Sequence, residues 1–257
     1  MKGMFFSMQG LGDHIGANGL VRTLIEKHSL TSIDVLVWSI YADTVRFMYR
    51  DDPRINVINI LRGREVISFM NVLQKNSYDI IYAIGHEISQ DFLNTIKNTE
   101  VIYREFNELR STFGEYNDVH RLFYKGAGVD FDARFDKFYY LRDVEAEETV
   151  YKKYNTHNLP YIFVHDDPAR GYQVNVDWKF LIIRNNINEN IFNYYKILQN
   201  AEEIHCMESS FRCLIETLDI VKPKLVFHYY IRQTKPLLDE NNNFVEGVSR
   251  KPWNILV

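Results

Sequence analysis

The sequence predicts an α/β fold of two Rossmann-like domains whose parallel sheets face across a cleft. Three observations predict it. Strand-like and helix-like segments alternate through both halves of the 257-residue chain, the pattern of sheets joined by crossover helices. The strand candidates, such as residues 33–38 and 161–164, are near-continuous apolar runs, as expected where both faces are covered. Polar and ionisable residues stand just past strand ends, where open α/β sheets bind their ligands.

The first half opens on a short buried strand over residues 4–8 and a glycine turn, Gly10-Leu-Gly12. An amphipathic helix over 14–28 follows, with Ile15, Leu20, Val21, Leu24 and Ile25 on one face and Asp13 and His14 at its start. Strand 33–38, helix 42–49, the Asp52-Pro53 turn and strand 55–60 come next. Val66, Phe69, Met70 and Leu73 space a helix over 65–75. Strand 78–84 ends in Gly85-His86-Glu87, and a helix over 88–97 leads to strand 100–103.

From 104 to 141 the pattern loosens. Phe106, Phe113, Tyr116, Phe123, Tyr124, Phe131, Phe135, Phe138, Tyr139 and Tyr140 mix with charges without a period. They fit an acceptor or partner surface, or equally a less regular packed layer. A charged helix over 143–154 precedes the break at 155–160, which places the domains at 1–155 and 156–257.

The second alternation begins with strand 161–164, ending in His165-Asp166-Asp167. Residues 171–176 and 180–183 are further strand candidates, 191–199 is helical, and 203–207 is a strand. Glu208-Ser209-Ser210 opens a helix over 211–218, and 225–231 is the last clear strand. The tail from Gln233 is polar and ends with Trp253 and Leu256, which can pack back on the body.

Composition narrows the function. With 46% hydrophobic residues, 17 Tyr and 17 Phe, the chain has ample core material and no disordered signature. A net charge of −4 argues against a nucleic-acid partner. Two cysteines, Cys206 and Cys213, exclude a disulfide scaffold and read as reduced thiols. The apolar N-terminal patch is broken by Gly10 and Gly12, too short for a secretory signal or membrane span. A cytoplasmic protein is expected, with at most peripheral membrane contact.

Gly10-Leu-Gly12 fits a dinucleotide fingerprint poorly: position 15 is Ile, Gly16 falls one residue late, and no acid ends the second strand at Trp38-Ser39. No Gly-Lys-Ser/Thr phosphate loop, metal-ligand histidine spacing or strand-end Asp-x-Asp occurs, so no metal or other cofactor is expected.

Gly10-Leu-Gly-Asp-His-Ile15, followed by Gly16, Ala17 and Gly19, resembles the opening loop of the ADP-heptose–lipopolysaccharide heptosyltransferase family, and more broadly two-domain glycosyltransferases of the GT-B fold. In that family a Gly-Asp pair supplies the aspartate taken as catalytic base, and Asp13 occupies the matching position. His165-Asp-Asp-Pro-Ala-Arg170 is similar to the strand end opening the family's second domain, and Glu208-Ser-Ser210 to the late turn that binds the donor diphosphate. This late turn departs from the family's Asp-Thr-Gly-like form, and a donor-binding lysine has no match.

The resemblance implies a metal-independent, inverting glycosyltransferase that moves a sugar from a nucleotide-sugar donor to a glycan or glycolipid acceptor. Asp13 is then the base that takes the acceptor proton, assisted by His14; the alternative is that Asp13 caps the following helix. Gly12 lets donor approach the loop. Ser209, Ser210 and the Phe211 helix start face the diphosphate, with the alternative that the serines cap. Glu208 accepts from a ribose or base. Arg170 offers a planar fork to phosphate, or is a surface arginine. His165 and Asp166 hold the donor, or satisfy strand-end backbone groups; His86 touches the acceptor, or is a buried strand-end polar group. A sugar-nucleotide epimerase or hydrolase on the same fold, and a non-catalytic nucleotide-sugar binding protein, are the competing classes.

Overall fold

The computed structural model describes residues 1–7, 9–105, 107–108, 119–177, 179, 181–232 and 237–257. Met8, Phe106, Phe113, Tyr116, Phe180 and Gln233 lie outside the described residues. The chain forms two compact units, Met1–Leu141 and Arg142–Val257, each on a five-stranded, all-parallel sheet.

Unit 1 contains β1 (Lys2–Phe6), α1 (Leu11–Gly16), α2 (Asn18–His28), β2 (Ser32–Trp38), α3 (Ala42–Tyr49), β3 (Ile55–Ile60), α4 (Glu65–Lys75), β4 (Ile80–Ile84), α5 (Gln90–Leu93), β5 (Glu100–Arg104), α6 (Val119–Gly126) and α7 (Ala133–Asp136). Its strand order is β3-β2-β1-β4-β5. The order reverses between β1 and β4, so the segments leaving those two strands flank the switch point where such sheets bind ligands. On one face Met4, Phe6, Leu36, Ile60, Ile81 and Phe69 of α4 form a dry cluster. Burial of that kind, at about 25 cal/mol per Å² of apolar surface, holds the sheet to its helices.

Three segments of unit 1 differ from expectation. The helix expected over 14–28 starts earlier and divides at Ala17 into α1 and α2. Gly16 and Gly19 explain what lies against it: a methyl at Gly16 would collide with the His120 ring, and one at Gly19 with the Ala133 carbonyl. These glycines admit α6 and α7, which fall within the aperiodic stretch. The helix expected over 88–97 is only Gln90–Leu93. Ser89 caps it, and the Thr95 hydroxyl then takes the Phe92 carbonyl as the chain unwinds.

Unit 2 contains α8 (Val144–Tyr154), β6 (Tyr161–His165), a 3-10 turn Pro168–Arg170, β7 (Leu181–Arg184), a 3-10 turn Ile191–Tyr194, α9 (Tyr195–Asn200), β8 (Glu203–Cys206), α10 (Ser210–Thr217), β9 (Lys224–His228), a 3-10 turn Tyr229–Ile231 and β10 (Asn254–Leu256). The strand order is β10-β9-β8-β6-β7, which reverses between β6 and β8. The units divide between Leu141 and Arg142 rather than in the break at 155–160. The charged helix α8 belongs to unit 2: Glu148 pairs with Lys196 of α9, and Tyr151 packs on Tyr161 of β6.

Residues 171–176 form no strand. Gly171, at φ +80°, turns the chain back, and Tyr172 makes only an isolated bridge to Asp167. Val174 then packs on Ile162 and Val164, covering a sheet face instead of extending an edge. The run expected as a strand over 225–231 stops at His228. The tail does more than pack back: residues 254–256 add a parallel strand beside β9. Cys206 and Cys213 are buried free thiols. Among the described residues no helix is long and apolar enough to cross a membrane.

Candidate functional site

In unit 1 the site grows from the turn after β1. Asp13 is the third residue of α1, and its Oδ2 accepts the Gly10 N–H at 2.9 Å. That bond gives one of the helix's orphan N-terminal donors a partner. The other oxygen, Oδ1, lies 3.6 Å from Nε2 of His120. Capping therefore engages one oxygen of the carboxylate, and the other faces His120. Gly12 sits beside it in the first turn of the helix.

His120, unassigned from the sequence, rather than His14, faces the carboxylate. His14 turns into the core, 1% exposed, and its Nε2 has no partner among the described residues. Burial pushes its pKa down to about 4 against the opposing pull of the Asp13 charge, so the imidazole is neutral at pH 7. An enclosed ring does not reach a substrate, and the assisting role expected of His14 has no geometric support. The signal for His120 lay in the small residues at positions 16 and 19, which require something to approach closely.

His86 leaves the end of β4 and stacks on Phe6, ring centroids 4.2 Å apart. Its Nε2–H donates to the Ser7 carbonyl at 2.8 Å, which leaves Nδ1 as the acceptor of the neutral ring. Burial lowers its pKa, while the Ser7 bond and the charges of Glu65 and Asp13 work against that. Gln9 also donates to the Ser7 carbonyl, at 2.6 Å, and accepts the Trp38 N–H at 3.1 Å. The segments after β1, β2 and β4 are thus tied together around Asp13.

In unit 2 the expected residues separate into framework and surface. Asp166 is buried, accepts the Val174 N–H at 3.1 Å and pairs with Arg184. His165 donates from Nδ1 to Asn185 Oδ1 at 2.9 Å and lies against the Phe211 ring, centroids 4.6 Å apart. Burial holds its pKa at about 4, over the opposing Asn185 bond and nearby Asp166 and Asp167. Both satisfy strand-end groups. Arg170 is exposed and paired through Nε with Asp167.

The turn after β8 keeps its donors. Ser209 is the N-cap of α10, its hydroxyl accepting the Arg212 N–H at 3.4 Å. Ser210 and Phe211 begin the helix, where backbone N–H groups lack a carbonyl one turn back. The Phe211 side chain is core, packed on Phe163 and Tyr194, so only its N–H can serve a ligand. Glu208 is held by Arg212 through both oxygens. A further cation enters here: Arg232, after β9, donates to the Glu208 carbonyl at 3.1 Å. Its guanidinium lies 5.9 Å from the Tyr172 ring, which that of Arg170 approaches to 5.8 Å. Among the described residues no group of three or more His, Cys, Asp or Glu side chains is placed to hold a metal ion.

No protein-family model matches the chain, and no curated protein matches it. Solved structures do. A glycosyl transferase family 9 protein from Veillonella parvula shares 13% identity at a TM-score of 0.59, over 99% of this chain and 86% of that one. The E. coli ADP-heptose LPS heptosyltransferase II shares 11% identity at the same TM-score, over 100% of this chain and 90% of that one. At such identity the likeness shows the fold alone.

Proposed function

We propose that this chain is a glycosyltransferase that moves a sugar from a nucleotide-diphosphate sugar to a glycan or glycolipid hydroxyl. In this reading the transfer is a direct, inverting, metal-independent displacement with Asp13 as base. The Asp13 carboxylate carries it: Oδ2 is pinned by the Gly10 N–H and Oδ1 faces His120, beside the switch point of a fold shared with heptosyltransferases.

As the acceptor oxygen bonds to the anomeric carbon, its proton passes to Asp13 Oδ1, and the bond from that carbon to the diphosphate oxygen breaks. A pinned carboxylate loses little orientational freedom in reaching this geometry. The departing diphosphate carries the electron pair. The Ser210 and Phe211 N–H groups at the start of α10 supply positive potential for it. Arg170 adds an exposed charge, paired with Asp167, whose planar guanidinium matches phosphate oxygens. His165 and Asp166, bonded to Asn185 and Arg184, act as the frame that fixes the strand end.

The test is a panel of nucleotide sugars and nucleoside diphosphates, read as melting temperature and then as transfer to glycolipid and glycan pools. At a ligand concentration of roughly 100 Kd the folded state gains about 2.7 kcal/mol, a rise of several degrees. One nucleotide class is expected to stabilise the protein, and transfer from its sugar conjugate to survive EDTA. No response across the panel overturns the reading. Donor consumption that is indifferent to acceptor points instead to a hydrolase or epimerase.

A further inference from the structure

Outside the groups assigned above, unit 2 holds a second set of titratable side chains, centred on the buried His205 and His228. On one face of the sheet, His205 of β8 and His228 of β9 meet Nδ1 to Nε2 at 2.8 Å. His205 Nε2 lies 3.0 Å from Glu203 Oε2, and His228 Nδ1 lies 3.1 Å from the Tyr230 hydroxyl. Glu203 is in turn paired with Lys224 at 3.2 Å.

The chemistry of the end member gives this chain a direction. A carboxylate only accepts, so His205 Nε2 carries the proton and its Nδ1 is the acceptor in the neutral ring. His228 must then donate from Nε2, which leaves its Nδ1 to accept from the Tyr230 hydroxyl. Burial, more than the proximity of His205, lowers the His228 pKa to about 4. Burial also lowers that of His205, against the pull of Glu203. Both rings are neutral at pH 7, and every polar atom in the row has one partner, as a buried network needs.

The row ends on the turn that follows β9. Tyr230 is bonded back to His228, Ile231 packs against the Ile162, Val164 and Val174 cluster, and Arg232 follows at once. Arg232 reaches the Glu208 carbonyl, one residue before the cap of α10. Through Tyr230, the proton order of the row thus ties down the segment from which Arg232 projects.

We propose that Arg232 is a phosphate-binding cation of the donor site, and that Glu203, His205, His228 and Tyr230 are positioning residues that hold it against the Glu208–Ser210 turn. The proposal rests on the donor-site reading of that turn. It adds a second cation to the one read at Arg170.

A double-mutant cycle on the full-length protein tests it, with calorimetric Kd values for pyrophosphate and for ADP, UDP, GDP and CDP. R232Q is expected to weaken binding about ten- to hundredfold, with partial rescue in R232K. Y230F removes only the last hydroxyl of the row and is expected to weaken binding severalfold in the wild-type background and not at all in the R232Q background. Circular dichroism and melting temperature confirm that each variant folds. Unchanged binding in R232Q, or an equal Y230F effect in both backgrounds, overturns the inference while leaving the donor-site reading intact. If the wild-type protein binds none of the probes, the donor-site reading fails and the inference with it. Imidazole 15N shifts report separately whether His205 and His228 carry their protons on Nε2; protons on Nδ1 contradict the row's direction.

Discussion

Between pH 6.5 and pH 4 the protein is expected to lose several kcal/mol of folding stability, a loss that begins above the range where carboxylate ion pairs fail. His14, His165 and His228 cause it. Each is held in the fold at a pKa of about 4 chiefly by burial, against an ordinary value of 6.5. A depressed histidine pKa means that the unfolded chain binds more protons than the folded one through this window. The stabilisation is fully present above pH 6.5 and is lost as pH falls through the folded value. At 1.36 kcal/mol per unit each ring contributes at most about 3 kcal/mol. The carboxylates held below their usual range, Asp52 and Glu65, begin to lose their contribution only as pH falls through their ordinary values, at the lower edge of this window. Denaturant midpoints measured across pH 7 to 4 check this, and H14F and H165N each reduce the slope. A flat profile between pH 7 and 5 contradicts it.

Replacing Arg212 by alanine is expected to destabilise the protein by about 3–5 kcal/mol, the cost of leaving a buried charge without its partner. The guanidinium is 1% exposed, grips Glu208 one turn before it and Glu216 one turn after, and lies 5.6 Å from the Phe227 and Phe244 rings. Burial disfavours its charge, but Glu208 and Glu216 more than offset this and raise its pKa. Glu216, fully enclosed, also accepts Trp253 Nε1–H at 2.8 Å and the Arg250 N–H at 3.3 Å. Without Arg212 its carboxylate stays buried and unpaired, and the tail that adds β10 loses its anchor. E216Q keeps an acceptor for Trp253 and is expected to cost less. Chemical denaturation gives the energies, and limited proteolysis of residues 250–256 reports the tail. A loss under about 1 kcal/mol in R212A would show that the pair is dispensable.

The strands were legible because burial on both faces leaves an unmistakable apolar run, and the helices at 42–49 and 65–75 because one face alone is apolar. What escaped was set by contacts between distant residues. Nothing local in residues 119–136 announces that Gly16 and Gly19 receive them, so His120 was hidden in an aperiodic stretch. Residues 171–176 have strand composition, yet Gly171 and the Asp166–Arg184 pair turn them over the sheet face. Residues 254–256 are too short to read as a strand without the partner edge that β9 offers.

The candidate site shows the same division. Asp13 and the Ser209–Phe211 helix start lie where strand-end logic places them, since the switch points follow from chain order. Which oxygen or nitrogen is engaged does not follow from chain order. Glu208 belongs to Arg212 and Asp166 to Arg184, pairings four and eighteen residues apart that composition cannot distinguish from free acids. Arg232 was overlooked because it follows an apolar run with no phosphate motif around it.

The central claim is that Asp13 removes the acceptor proton. Asparagine at position 13 keeps the shape and still accepts the Gly10 N–H that caps α1, so D13N isolates the proton-accepting oxygen from the fold. The decisive measurement is single-turnover transfer by D13N under saturating donor, with donor Kd determined on the same preparation. The account predicts an unchanged Kd and a transfer rate lowered by about 10²–10⁴, the range for loss of a general base. Transfer at the wild-type rate with donor binding intact would contradict it.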